Sequence, residues 1–138
     1  LWYNGKPFEA LFTRSCDGHT RTPQQVGLQG SPAHQSAACP VCARDAKTWT
    51  RTHPLAEVTA LIRERSEQAR LDVVRRLGWD AIPSNLYEAT VSGATATFTG
   101  AGEGHGIGLC QRGAVGLARQ GASWRDILHR YFPAVLIR

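Results

Sequence analysis

The stretch from Gly100 to Ala114, Gly-Ala-Gly-Glu-Gly-His-Gly-Ile-Gly-Leu-Cys-Gln-Arg-Gly-Ala, sets a single imidazole among positions that carry almost no side chain. A residue without Cβ lets the main chain take positive φ or approach a ligand closely, at a cost in conformational entropy. Gly102, Gly104, Gly106 and Gly108 alternate with Glu103, His105 and Ile107. The segment is therefore expected to show His105 on one side of a close-packed backbone, as a candidate catalytic residue. The plainer alternative is a glycine-rich turn with an incidental histidine. Glu103 is the local carboxylic acid, with three possible roles: a proton donor, a charge partner for His105, or an exposed side chain.

A second constellation points to metal chemistry. Cys16-Asp-Gly-His19 and Cys39-Pro-Val-Cys42 are two close ligand pairs separated by nineteen residues. That spacing suits a structural zinc site of the three-cysteine, one-histidine type, because thiolates and an imidazole on two-residue spacers can converge on one tetrahedral ion. The competing reading is a pair of disulfides in an oxidising compartment, for which four cysteines allow three connectivities. His34 is a substitute ligand or a solvated loop residue. Cys110, far from the pairs in sequence, reads as a small buried helix residue, since no histidine is obviously placed as the base for a catalytic thiolate.

These groups need elements to hold them. Leu1 to Ser15 reads as a β-hairpin turning at Asn4-Gly5, with Phe8, Ala10 and Phe12 alternating on the return strand. Cys16 to Asp45 lacks apolar periodicity, and a loop of that length requires an organiser such as a bound metal. Thr48 to Thr52 has strand composition. Pro54 then opens a helix with Leu55, Val58, Leu61 and Ile62 on one face, and Leu71, Val74 and Leu77 mark a second, ended by Gly78. A hairpin about Ser92-Gly93 leads into the glycine block. Leu109 to Gln120 is predicted helical. Ser123 starts a last helix with Trp124, Ile127, Leu128 and Tyr131 as its apolar stripe, and Ala134 to Ile137 reads as a short strand. The fold class predicted is α+β, with β-hairpins and short helices around one core and a long zinc-organised loop.

At 138 residues the chain has the length of one domain. It carries sixteen Lys and Arg against eleven Asp and Glu, a net charge of +5, and this balance favours an anionic partner. The closest basic grouping, Arg63, Arg65, Arg70, Arg75 and Arg76, reads as a solvated helix face. No basic tract interleaved with aromatics is present, which argues against a zinc-containing nucleic-acid binder despite the charge and the paired ligands. No stretch is long and apolar enough for a membrane span. There is no methionine, and the chain opens directly in a strand, so sequence is expected upstream.

The glycine block resembles the Gly-His-Gly-x-Gly-x-x-Gln-x-Gly-Ala signature of the SpoIID family (stage II sporulation protein D and the amidase enhancer LytB), with His105, Gln111, Gly113 and Ala114 at signature positions. Leu1 to Ala10 is similar to the family's Tyr-x-Gly-x-Pro-Ile-x-Ala hairpin, and Phe12 to Thr20 to its Ser-x-Gly-Gly-x-Thr turn. Val74 to Gly78 with Ile82 to Ser84 resembles the segment ahead of the signature, and Ile127 to Pro133 its closing Ile-Leu-x-x-Tyr-Tyr-Pro. The resemblance implies lytic transglycosylation of bacterial cell-wall glycan: a carboxylic acid protonates the glycosidic oxygen and the sugar's own hydroxyl closes an anhydro ring. The acid of the family lies in an N-terminal Glu-Met-Pro-type motif that nothing here matches, so the chain corresponds to the C-terminal part of such a domain. The region between Ile62 and Val74 is shorter than the family's. By this resemblance His105 and Gln111, at signature positions, bind substrate. Gln111 and the neighbouring Arg112, the latter through its planar fork, are suited to sugar hydroxyls or a lactyl carboxylate, or else form helix N-terminal surface. Tyr87 and Trp124 are either stacking faces for sugars or core residues. Glu103 is the only local candidate for the acid. The expected partners are peptidoglycan strands, an N-terminal fragment of the same protein, or a cell-wall amidase, in the bacterial cell envelope. A non-catalytic module that enhances an amidase is the rival reading.

Overall fold

Asn4 and Gly5 take φ of 50° and 75°, the left-handed pair that a two-residue hairpin turn requires. They fold β1 (Trp2–Tyr3) back onto β2 (Lys6–Pro7). The architecture is that of a computed structural model describing residues 1–138. The return strand does not run on to Phe12. After Pro7 the chain turns Phe8 inward against His34 and Phe132. β3 (Phe12–Thr13) then finds its hydrogen-bond partners across the molecule, pairing in parallel with β7 (Leu109–Cys110).

The region from Cys16 to Asp45 is less bare than its composition suggests. It holds a single 3-10 turn at Gln24–Val26 and a five-residue helix, α1 (Pro40–Arg44), with Pro40 at the first helical position, where its missing N–H costs nothing.

Beyond it, β4 (Thr48–Pro54), β5 (Tyr87–Ser92) and β6 (Thr95–Ala101) form an antiparallel sheet in the order β4-β6-β5. Two helices accompany the sheet. In α2 (Leu55–Arg63) the helix is interrupted at Val58 (φ −127°), and α3 (Glu67–Leu77) begins where the Ser66 hydroxyl accepts the Ala69 N–H at 3.1 Å and ends at Gly78 (φ 105°). Val58, Leu61, Val73 and Val74 are buried in one cluster with Ala96, Phe98 and Tyr87 of the sheet. Burying a side chain of that size contributes about 1.5–3 kcal/mol.

A second cluster gathers the four cysteines with Leu117, Ile127, Tyr131 and Phe132. To it α4 (Gln111–Arg119) contributes Leu117 and α5 (Trp124–Tyr131) contributes Ile127 and Tyr131, the latter helix opened by a reciprocal Ser123–Asp126 capping box. The α+β class holds, and its core divides in two. Leu86 and Tyr87, adjacent in an extended chain, belong to different clusters, as alternating side chains dictate. Three local expectations change. Leu109–Cys110 is strand, because its backbone pairs with Phe12–Thr13. Trp124 is exposed rather than part of the apolar stripe and lies under the Arg125 guanidinium at 4.3 Å. Ala134 to Ile137 makes only an isolated bridge between Leu136 and Trp2.

Candidate functional site

Gly102, Gly104, Gly106 and Gly108 have φ of 78°, 103°, 83° and 74°, so every second residue of the block is left-handed. The segment is a narrow ribbon wedged against the chain from Leu11 to Ser15. A Cβ on Gly102 would stand 2.6 Å from the Ser15 carbonyl oxygen, and one on Gly108 would collide outright with the Leu11 carbonyl. This closeness allows backbone to bond backbone. Glu103 N–H donates to the Ser15 carbonyl at 3.0 Å, Ser15 N–H returns to the Glu103 carbonyl at 3.2 Å, and Leu109 N–H donates to Leu11 at 3.0 Å. The buried Thr13 hydroxyl spans the ribbon, donating to the Glu103 carbonyl at 2.9 Å and accepting the Gly106 N–H at 3.1 Å. On the other edge Gly104 N–H donates to Pro83, and Arg21 N–H donates to the Gly106 carbonyl at 2.7 Å.

The ribbon determines the state of His105. Its Nδ1 accepts the Ile107 N–H at 3.0 Å, so the proton of the neutral ring sits on Nε2. Burial holds the imidazole pKa below its ordinary 6.5, with the charges of Glu67 and Arg70 acting in opposite senses. His105 is thus a neutral ring at pH 7 with one N–H to offer.

Glu67 and Arg70 escaped the sequence reading, which put Arg70 on a solvated face. Their side chains are only 4% and 6% exposed. Arg70 donates to both Glu67 oxygens at 2.9 Å and to the Ile82 carbonyl at 2.8 Å, and Asn85 Nδ2 donates to Glu67 Oε2 at 2.6 Å. Two-pronged pairing of this kind lets both charges leave water. Asn85 in turn donates its backbone N–H to the Gly104 carbonyl at 3.3 Å, which links the buried pair to the residue before His105. The available signal was a Ser66 cap followed by Glu67 and Arg70 at an i, i+3 spacing.

The remaining candidates lie along a surface groove. Two clefts of about 720 and 730 Å³ share Arg14, Lys47 and Glu103. Gln111 and Arg112, at the start of α4, line the second. His105 lines neither, so the sequence-predicted residues separate into a groove set and a ribbon residue. Glu103 is partly buried and ion-paired on both oxygens: Lys47 holds its Oε1 at 2.9 Å and Arg14 its Oε2 at 3.2 Å. Arg112 is also engaged. Its guanidinium donates to the Asp45 carbonyl and, at 2.6 Å, to the Asp45 carboxylate, joining the start of α4 to the end of α1. Tyr87 proves to be core.

The cysteines converge, with one substitution in the expected set. The sulfurs of Cys16, Cys39, Cys42 and Cys110 all lie within 4.8 Å of one another, and all four residues are buried, free thiols. His19 is not among them. Its backbone bridges to Ala38 while its ring turns outward, 3.9 Å from Asp17. Cys110 takes the fourth place because pairing of β3 with β7 brings Thr13 and Cys110 side by side, three residues from Cys16. His34 is neither ligand nor solvated: it is buried against Phe8, with Nε2 2.9 Å from the Glu9 carbonyl oxygen.

Four such thiols could bind a metal ion. Two thiolates on a tetrahedral ion with ~2.3 Å bonds stand ~3.8 Å apart, and Cys42 and Cys110 are separated by 3.7 Å. The surroundings favour one negative sulfur. Contacts with Cys110 and Cys16, then the Tyr131 hydroxyl donating at 3.2 Å, hold the Cys39 thiol well below its usual range. Cys16, through Cys110 and Cys39, is pushed up, as is Cys110, against the lowering effect of Cys16, through Cys39 and burial. Gly113 N–H points to Cys110 Sγ at 3.4 Å. Any Cβ on Gly113 would run into Tyr131 and Cys39.

No family model matches the chain. Among characterised sequences it is 28% identical over 163 positions to stage II sporulation protein D of Bacillus amyloliquefaciens, covering 98% of this chain and 46% of the relative. It is 27% identical over 165 positions to the protein of the same name from Bacillus subtilis, covering 99% and 47%. An uncharacterized protein of Brachyspira hyodysenteriae is 27% identical, covering 96% and 44%. The chain spans a little under half the length of these curated relatives. The aligned stretches are longer than the 138 residues here, so each relative carries additional residues inside the matched region. The glycine ribbon with its histidine thus sits in a chain that is related to stage II sporulation protein D over nearly its whole length.

Proposed function

We propose that this chain is the C-terminal part of a SpoIID-type lytic transglycosylase domain that cleaves peptidoglycan glycan strands in the bacterial cell envelope. The observation that carries the reading is His105: at the signature position, it is fixed by a backbone-bonded ribbon as a neutral ring with its proton on Nε2. In lytic transglycosylation an acid gives its proton to the glycosidic oxygen as that bond breaks. The muramyl hydroxyl then attacks the anomeric carbon, gives its proton to the carboxylate that the acid has become, and closes the anhydro ring. A neutral imidazole N–H suits the positioning of a sugar oxygen in that step, and Gln111 offers both a donor and an acceptor to a sugar hydroxyl. The proton donor is assigned to the acidic segment that the resemblance puts N-terminal to this region. The four cysteines hold a structural zinc, which ties Cys16, the start of α1 and the start of α4 into one unit. No helix is long and apolar enough to cross a membrane.

One observation favours a second reading, a glycan-binding module that assists a cell-wall amidase. The ribbon's own carboxylate and the one linked to it through Asn85 are already paired, Glu103 with Lys47 and Arg14, and Glu67 with Arg70. Incubation of purified sacculi with the chain, alone and joined to its upstream segment, followed by mass analysis of the released muropeptides, tests both. Anhydro-sugar products that disappear with His105→Ala support the enzyme. Binding to sacculi without products in either form supports the module.

A further inference from the structure

Trp79 has no role in the site as described, yet its setting is unusual for a large apolar side chain. It is 67% exposed at the edge of the 720 Å³ cleft. The loop that carries it is not free. Gly78, at φ 105°, turns the chain out of α3, and Arg51 then grips the following residue twice, at 2.9 Å to the Asp80 carbonyl and 2.9 Å to its carboxylate. The side chain is therefore presented on a pinned loop. Trp49 lines the same cleft, its indole N–H donating to Ser84 at 3.2 Å, and Lys47 and Arg14 stand at the junction with the Gln111 arm. An exposed aromatic face that lines one cleft with cations suits a ring that carries an acid.

We infer that the Trp79 arm is a second saccharide subsite, which stacks a sugar ring on Trp79 and pairs the acid of the attached lactyl or peptide group with the one net positive charge that Lys47 and Arg14 keep after sharing Glu103, at the far end of one groove from Gln111. The inference rests on the peptidoglycan reading above and extends it to a specificity for acidic over neutral glycan. The groove disfavours a polynucleotide. Asp45, Asp80 and Glu103 stand among its cations, and a strand with one phosphate on every nucleotide must pass each of them. A glycan with one acidic group per disaccharide can place its charges between them.

Binding of the full 138-residue chain is measured by calorimetry and by indole N–H shifts against three probes. These are a disaccharide-peptide glycan fragment, the same fragment with its carboxyls amidated, and neutral chitotetraose. Trp79→Ala is expected to weaken the acidic fragment about tenfold, Trp79→Phe to restore most of that loss, and amidation to weaken wild-type binding by a similar factor. Because the side chain is mostly in solvent, the fold tolerates both changes. If wild type binds the acidic fragment and Trp79→Ala binds it equally, the subsite is wrong while the peptidoglycan reading stands. If wild type binds none of the glycans, both fall. Equal affinity for chitotetraose removes the acidic specificity. Tighter, Trp79-dependent binding of a single-stranded oligonucleotide overturns the proposal in favour of a nucleic-acid ligand.

Discussion

The cysteine cluster and the glycine ribbon meet between Gly108 and Cys110, yet they are built on opposite principles. The cluster is made of side chains drawn from three separate segments, and its geometry lies in where four sulfurs end up. The ribbon is made of the absence of side chains, and its geometry lies in how near one backbone comes to another. Both converge on the stretch from Leu11 to Cys16. The comparison teaches that the ribbon fixes one imidazole locally, whereas the cluster fixes the relative positions of the segments that carry it.

The largest effect is expected where side chains alone hold segments together. Cys39→Ser removes the sulfur to which the Tyr131 hydroxyl donates, and the proposed zinc with it. Since structural zinc affinity is itself folding free energy, on the order of 10 kcal/mol, against a total stability of about 5–15 kcal/mol, this variant should lose its near-ultraviolet circular dichroism. Elemental analysis should fall from one zinc per chain to none. A wild-type protein that folds fully without metal and with four free thiols would break this side of the comparison.

A smaller and graded effect is expected along the ribbon. In Gly108→Ala the new methyl meets the Leu11 carbonyl, which is backbone and cannot yield, while in Gly106→Ala the nearest atom is a Leu86 methyl carbon at 3.6 Å. Both residues have positive φ. Left-handed strain of about 1–2 kcal/mol is common to the two, so Gly106→Ala should cost about that much and Gly108→Ala about 4 kcal/mol or more. Urea unfolding of the pair measures the difference. Equal losses would mean that close backbone approach does not set the ribbon's geometry.

The smallest effect belongs to His105. Its folded pKa lies below 6.5, so the unfolded chain takes up a proton there before the folded chain does. The stability associated with the neutral ring is full above pH 6.5 and declines as pH falls below it. His105→Gln should flatten that part of the stability curve relative to wild type. Nitrogen chemical shifts at pH 7 should show Nε2 protonated, and a ring protonated on Nδ1 would contradict the Ile107 hydrogen bond.

Much of this was legible in residue types. Asn4-Gly5, the Ser123 capping box, Gly78 and the alternating glycines each announce a backbone conformation that few other residues can adopt, and each is found where the sequence places it. Cys16, Cys39 and Cys42 were legible as ligands by their spacing. Cys110 was not, because its partnership depends on a parallel pairing across almost a hundred residues. Arg70 looked like a surface cation until α3 turned it toward Glu67, and Glu103 looked free until Lys47 and Arg14 arrived from distant segments. Trp79 carried no pattern at all in the sequence.

The sequence by itself determined the left-handed turns, the ribbon's residue chemistry and the kinship with stage II sporulation protein D, since the first two depend on residue identity along a short window and the third on residue order along the chain. Only the tertiary structure decided which charges are paired, which sulfur completes the cluster, and that His105 stands apart from the groove lined by Gln111. Those outcomes depend on which distant segments meet: Cys110 with the Cys16 and Cys39 segments, Glu103 with Lys47 and Arg14, and the Glu67–Arg70 pair with Ile82 and Asn85 that bury it.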